Sequence, residues 1–199
     1  MIRIADVVSA VSSLADVASV VFSTATAERM MPIHETFAQA EAWGSPRVLR
    51  QYLDAVWSEL EGYLTDIDCE RAAKACYRMI PTSQDFASPI SGLAACAPEA
   101  TAYALEGLGR SGVNYAMDSL ESVRDGWFYY IRATTERGLA ADPENHPLMQ
   151  EQMRRDLRLV ERLAGSDLRS RSAIASIQRE SAEQGRTLAW IVGDGTAAN

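Results

Sequence analysis

Apolar residues recur at intervals of three and four along almost the whole chain, which is the spacing that gives an α-helix one buried face. The clearest stripe comprises Val48, Leu49, Tyr52, Leu53, Val56, Trp57 and Leu60. Two later stripes, over residues 116–134 and 149–163, follow the same rule. We find no pair of alternating β-branched runs joined by a hairpin turn, the usual sign of strands. The pattern therefore predicts an all-α fold.

Prolines, glycines and capping residues divide this pattern into helices. The predicted boundaries are a break near Ser12 and Ser13, an end or a new start at Pro32, a short helix from His34 to Trp43, starts at Pro46 and Pro98, a long connection over residues 82–96 and a final end at Gly185. A chain of 199 residues can bury a core without a metal or a disulfide. We expect a single-domain bundle of about eight helices over residues 1–192 and a flexible C-terminal tail over 193–199.

Charge and hydropathy narrow the classes of partner. The formal net charge is −8, which argues against a nucleic-acid backbone and suits a basic partner. No window contains the roughly 18 apolar residues of a membrane span. Ala25-Thr26-Ala27 loosely imitates a signal-peptide cleavage site, but Asp6 and Asp16 interrupt the apolar stretch before it. We therefore expect a cytoplasmic protein.

The motifs that usually carry chemistry are missing or stand in the wrong context. Cys69, Cys76 and Cys96 have no zinc-site spacing and give no disulfide framework. His34 and His146 belong to neither an HExxH nor an ExxH pair. The GxGxxG string at 107–112 follows a predicted helix, whereas dinucleotide binding requires a preceding strand. The sequence thus predicts no catalytic residue, no cofactor and no metal.

Two groups of residues remain as candidate binding sites. The string Glu28-Arg29-Met30-Met31-Pro32 is the most unusual in the chain, and it is followed closely by His34. Glu28 and Arg29 can pair at a helix end, or they can converge with His34 on a pocket between helices. Phe128 and Tyr129 point away from the core stripe of their helix, so they contact other helices or form an exposed patch for a partner.

The same string carries a resemblance to a known family. FSTATAERMMPIHETF at 22–37 resembles the ERM-x-P-N-Y-x-x-F segment of the YjaG-like bacterial proteins, a domain of unknown function (DUF416). LRQYLDAVWSEL at 49–60, and the Ile80-Pro81 and Asp85-Phe86 pairs, are similar to later elements of that family. Ile33-His34 replaces its Asn-Tyr, and its Y-G-V-Y-P-A-x-D-A-C element is reduced over residues 90–101. The resemblance implies an all-α, cytoplasmic bacterial protein and transfers no catalytic residue.

These observations favour two kinds of function. The first is a non-enzymatic interaction module that binds another protein, in its concrete form an immunity protein or antitoxin that neutralises a basic toxin by direct binding. The second is an enzyme or small-ligand-binding protein with a pocket near Glu28, Arg29 and His34. A homo-oligomer whose helix faces cover one another is a third possibility. Neither nucleic acid nor a membrane is an expected partner.

Overall fold

The computed structural model describes residues 1–82, 86–110, 114–135 and 142–197, with side chains as far as residue 193. Within this part of the chain there are eight α-helices, one 3-10 turn at Pro143–Asn145 and no strand. The helices are α1 (Ile4–Ser12), α2 (Asp16–Glu41), α3 (Pro46–Leu60), α4 (Cys69–Tyr77), α5 (Ser91–Gly109), α6 (Tyr115–Thr134), α7 (Pro147–Gly165) and α8 (Arg171–Ala197). The predicted all-α bundle is confirmed, as is the break near Ser12 and Ser13.

Helix α2 lies at the centre of the bundle. Every residue from Ala18 to Met31 is buried, and α2 packs against α3, α5, α6, α7 and α8. A helix covered on all sides needs no amphipathic stripe, and in α2 alanine, serine and threonine are interspersed with large apolar residues around the whole circumference. The string Glu28–Pro32 therefore belongs to the middle of the core.

The prediction of a helix boundary at Pro32 is wrong, and so is that of a separate helix from His34. Pro32 lies inside α2, which continues to Glu41 and ends where Ala42 takes a left-handed conformation with φ of 52°. A proline removes one backbone hydrogen bond from a helix interior. Burial of Met31, Ile33 and Phe37 on either side of Pro32 outweighs that loss.

The start of α5 is also earlier than predicted. It begins at Ser91 and contains Pro98 in its interior, so the long connection over residues 82–96 is shorter than expected; residues 83–85 lie outside the described part. All five residues of the run 93–97 are buried, mostly alanines that fit where α5 contacts α2 and α6. This close packing favours a helix, although the nearby prolines and glycine indicated a loop.

The prediction that the last helix ends at Gly185 is also wrong. Helix α8 continues past it to Ala197. A Cβ atom at position 185 would lie 2.7 Å from the backbone oxygen of Arg29, so this glycine permits the close crossing of α8 and α2. The flexible tail was predicted over residues 193–199. The backbone of residues 193–197 continues α8, and residues 198 and 199 lie outside the described part. The flexibility of the tail stays a prediction.

The GxGxxG string at 107–112 follows a helix in the structure, as it does in the prediction. Gly107 and Gly109 belong to the last turn of α5, whereas Gly112 lies outside the described residues. A helix therefore precedes the string, as predicted, and the strand that a dinucleotide-binding loop requires is not there.

Candidate functional site

Glu28 faces α3 and is fully engaged there. Its carboxylate accepts two hydrogen bonds from the Arg50 guanidinium, at 2.8 and 2.7 Å, and a third from the Trp57 indole N–H at 2.8 Å. Only 5% of the residue is exposed. A bidentate pair of this kind fixes geometry strongly, and although the Arg50 side chain is 29% exposed, Glu28 holds α2 against α3.

Arg29, the next residue, faces α7. Its Nη2 donates to Oδ1 of Asp156 at 2.8 Å and to the Thr26 hydroxyl at 3.1 Å. The Gln152 amide also donates to Asp156, at 3.0 and 3.1 Å. Burial raises the pKa of Asp156, and the charge of Arg29 and these hydrogen bonds oppose that effect. The result is a second ion pair, closed to solvent, between α2 and α7.

His34 faces α5 and is fully buried. Its Nδ1 lies 2.9 Å from the backbone oxygen of Ala94, so Nδ1 carries the proton and donates, because a carbonyl can only accept. Burial lowers the pKa of His34, which keeps the ring neutral and leaves Nε2 as an acceptor. Nε2 has no partner among the described residues.

The three side chains therefore do not meet. Successive helical residues project about 100° apart, and Glu28, Arg29 and His34 contact three different helices. The pocket on which they were predicted to converge is not formed, and the predicted pairing of Glu28 with Arg29 is replaced by one distant partner for each.

Phe128 and Tyr129 are brought together on the outer side of α6. Both are half-buried, and with Asp125, Arg132 and Ala133 they line an open groove of about 430 Å³. The Tyr129 ring also packs on α5, since a Cβ atom at Gly92 would lie 3.1 Å from it. Tyr129 thus does both things that were predicted as alternatives: it contacts a neighbouring helix and lines an exposed groove.

Next to this groove lies a surface that sequence reasoning missed, which we call the acidic–tyrosine face. It consists of Tyr77, Glu99, Tyr103, Glu106, Asp118 and Glu121, from α4, α5 and α6. The Tyr77 hydroxyl donates to Glu106 at 3.2 Å, and the rings of Tyr77 and Tyr103 have centroids 6.3 Å apart. The hydroxyl of Ser122 donates to Glu99, which joins α6 to α5.

The carboxylates of this face are close enough to affect one another. Burial, and then the charges of Glu121 and Glu106, raise the pKa of Asp118. Burial and the charge of Asp125 raise the pKa of Glu99, although its hydrogen bond to Ser122 opposes them. Burial and four neighbouring carboxylates raise the pKa of Tyr103 to about 12. No cation is among the described groups that shift these three residues.

A sequence signal for the face does exist. Glu99, Tyr103 and Glu106 follow one another at intervals of four and three, as do Asp118, Glu121 and Asp125 at three and four, so each set lies along one side of its helix. The spacing does not reveal that the two sides adjoin.

The described residues were also compared with the requirements of a metal site and of a membrane-spanning helix. Within that part of the chain, no group of three or more His, Cys, Asp or Glu residues could hold a metal ion. Of the described helices, none is long and apolar enough to cross a bilayer.

Comparison with known proteins identifies the family. The family model of a protein of unknown function, DUF416, matches residues 6–188. The chain belongs to the DUF416 family. The crystal structure of a DUF416 family protein from Shewanella baltica OS155 has a TM-score of 0.71 and 18% sequence identity, covering 88% of this chain and 93% of that one. No curated protein matches the chain.

DUF416 membership bears out the resemblance found in the sequence, while the YjaG-like name stays a prediction. At 18% identity, the Shewanella baltica structure shows that the two proteins share a fold. The roles of individual residues in this DUF416 protein therefore depend on their own geometry.

Proposed function

We propose that this DUF416 protein is a non-enzymatic, cytoplasmic interaction module that binds a basic protein through the acidic–tyrosine face. An immunity protein or antitoxin that covers a basic toxin is its concrete form. The observation that carries the proposal is a set of carboxylates on adjoining sides of α5 and α6. Burial and then neighbouring carboxylates raise the pKa of Glu99 and Asp118, and no cation is among the described groups that shift them. Lysine and arginine side chains of a partner would supply the missing charge.

Electrostatics favours this reading over a purely structural one. A carboxylate whose pKa is raised by burial and by like charges, as that of Asp118 is, destabilises the folded chain at neutral pH. A basic partner would relieve this repulsion, and charge attraction would speed their encounter. The face also matches the net charge of −8.

The aromatic side chains add the second ingredient of a protein interface. Tyr77 is 37% exposed, Tyr103 is half-buried beside it, and Phe128 and Tyr129 line the adjoining groove. Tyrosine and phenylalanine are enriched at interfaces because they bury a large area with few rotatable bonds. Charge would therefore guide the partner, and aromatic contact would hold it.

The test is co-purification and isothermal titration with basic proteins encoded by genes next to this one. A face variant, Glu106→Gln/Asp118→Asn/Glu121→Gln, removes three carboxylates and changes the formal net charge from −8 to −5. We expect at least a tenfold weaker affinity for this variant, equal to about 1.4 kcal/mol, and binding by the original chain that weakens as salt rises.

A matched control has the same net charge but an intact face. Glu41→Gln/Glu161→Gln/Glu183→Gln neutralises three exposed carboxylates on α2, α7 and α8. Equal affinities for the face and control variants would refute the face as the docking site. Failure of every such basic protein to bind, or to be neutralised when co-expressed, would refute the interaction function itself.

A small-ligand function is the second candidate, and one observation favours it. The unpartnered Nε2 of His34 lies 3.8 Å from where a Cβ atom of Gly44 would be. Gly44 lines an open groove of about 560 Å³ with Trp43, Arg47 and Arg50. A thermal-shift screen of small carboxylates and amides, with His34→Gln as the comparison, tests it. A ligand that stabilises both proteins equally, or no ligand at all, would refute a site at His34.

A further inference from the structure

A cluster of charged and polar side chains is buried between α2 and α7, away from the acidic–tyrosine face. Arg29, Gln152, Arg155 and Asp156 are 1%, 3%, 9% and 2% exposed. Asp156 accepts hydrogen bonds from Arg29 and Gln152. Arg155 donates to Glu151 at 3.2 Å, at the edge of the cluster.

The hydrogen bonds of this cluster are incomplete within the protein. Nη1 of Arg29, Oε1 of Gln152 and Nη1 of Arg155 have no partner among the described residues. Buried polar atoms in folded proteins nearly always have one, either in the protein or in ordered water. Three such atoms in one cluster therefore point to a further binding partner.

Three side chains of the cluster line two small cavities. Gln152 and Asp156 line a cavity of about 20 Å³ beneath α1, whose wall includes Val7 and Val8. Arg155 lines another of about 10 Å³ between α7 and α8, together with Ser181. A single water molecule needs roughly 10–15 Å³ of this kind of volume, so neither cavity takes an organic ligand.

Charge decides between water and an ion. Arg29 and Arg155 are balanced by Asp156 and Glu151, so a further ion would leave a net charge in the core. Oε1 of Gln152 can only accept, which excludes an anion beneath α1, whereas Nη1 of Arg155 can only donate. A water molecule satisfies both atoms, because it donates and accepts.

We propose that the buried ion-pair cluster is hydrated in both of these cavities. One water hydrogen-bonds to Gln152 Oε1 beneath α1, and another to Arg155 Nη1 between α7 and α8. The inference is independent of the proposed interaction function, because it depends only on the core.

A crystal structure of the full chain, at a resolution that shows ordered solvent, is the first test. We expect a density peak within hydrogen-bond distance of Gln152 Oε1 and another near Arg155 Nη1. Absence of a peak, with the same atom bonded to protein instead, would refute hydration on that side.

Magnetisation transfer from water to backbone amides tests the proposal in solution. We expect long-lived transfer to the amides of Val7 and Val8, which line the cavity with Gln152, and its loss in Gln152→Met, while transfer near Arg155 persists as an internal control. If the variant does not fold, the original chain alone gives the test. A lack of transfer at both places in the original chain would overturn the proposal.

Discussion

The ion pair between Arg29 and Asp156 gives the sharpest prediction for stability. Asp156→Leu would leave the Arg29 guanidinium, 2% exposed in its side chain, without its counterion at 2.8 Å. A guanidinium stays charged under all conditions in which proteins fold. Removal of one partner from a buried pair costs about 3–5 kcal/mol, which is a large part of the roughly 5–15 kcal/mol by which domains are stable.

The reverse change and the double variant complete a thermodynamic cycle. Arg29→Met should cost a similar amount at pH 7, because it leaves the Asp156 carboxylate buried. Arg29→Met/Asp156→Leu removes both charges, so its cost should fall to about 1–3 kcal/mol, that of leaving the Gln152 amide without an acceptor. The summed costs of the single variants, about 6–10 kcal/mol, should therefore exceed the cost of the double variant by at least about 3 kcal/mol.

The pH dependence separates the two single variants. Burial raises the pKa of Asp156, and Arg29 opposes this rise, so loss of Arg29 raises it further. When the pKa of a carboxyl is higher in the folded state than in the unfolded state, the folded protein becomes more stable as pH falls through the folded value. The cost of Arg29→Met should therefore shrink between pH 7 and pH 5, whereas that of Asp156→Leu should not.

Urea unfolding followed by far-UV circular dichroism measures these free energies. Single variants that each cost less than about 1 kcal/mol and add in the double variant would refute the reasoning, since exposed pairs behave in that way. Unequal m-values among the variants would show that the unfolded state had changed instead.

Three further predictions concern the backbone and the acidic–tyrosine face. Gly185→Ala should destabilise the protein by about 1–3 kcal/mol through a clash with the α2 backbone, measured as a lower Tm, while Gly165→Ala, with no atom within 4 Å of the new Cβ, should be neutral or slightly stabilising. Ala42→Gly should raise stability by about 0.5–1 kcal/mol in urea unfolding, because it relieves a left-handed φ of 52°; no gain would refute strain there. Asp118→Asn should stabilise by about 0.2–0.5 kcal/mol because it removes the repulsion with Glu121, three positions away on the same helix. Because the folded pKa of Asp118 is raised, this gain should grow as pH rises from 3 to 7, and a gain that grows as pH falls would contradict it.

Helices with one buried face were the ones that sequence could predict. In α3, the inward positions Leu49, Leu53, Val56 and Trp57 are all buried, and they belong to the stripe from which the helix was predicted. The period is visible there because the opposite side of the helix faces solvent. Helix α2 has no such contrast, so its boundaries had to be judged from Pro32, and that judgement was wrong.

The candidate site was harder to predict because its partners are remote in sequence. The ion pair of Arg29 with Asp156 spans 127 positions and the contact of His34 with Ala94 spans 60. The string around Glu28 was correctly recognised as unusual, yet its partners follow from tertiary packing. The acidic–tyrosine face required the neighbour relation of α5 and α6, which periodicity does not supply.

The different directions of Glu28 and Arg29 have a consequence for how α2 is held. Two adjacent charges of opposite sign are bound to partners on different helices, so any rotation of α2 about its axis, or a slide along it, breaks both pairs together. Burial all round gives α2 no solvent-facing side that would set its rotation. Glu28 and Arg29 therefore fix the rotation of the central helix about its axis, and with it the positions at which the neighbouring helices pack.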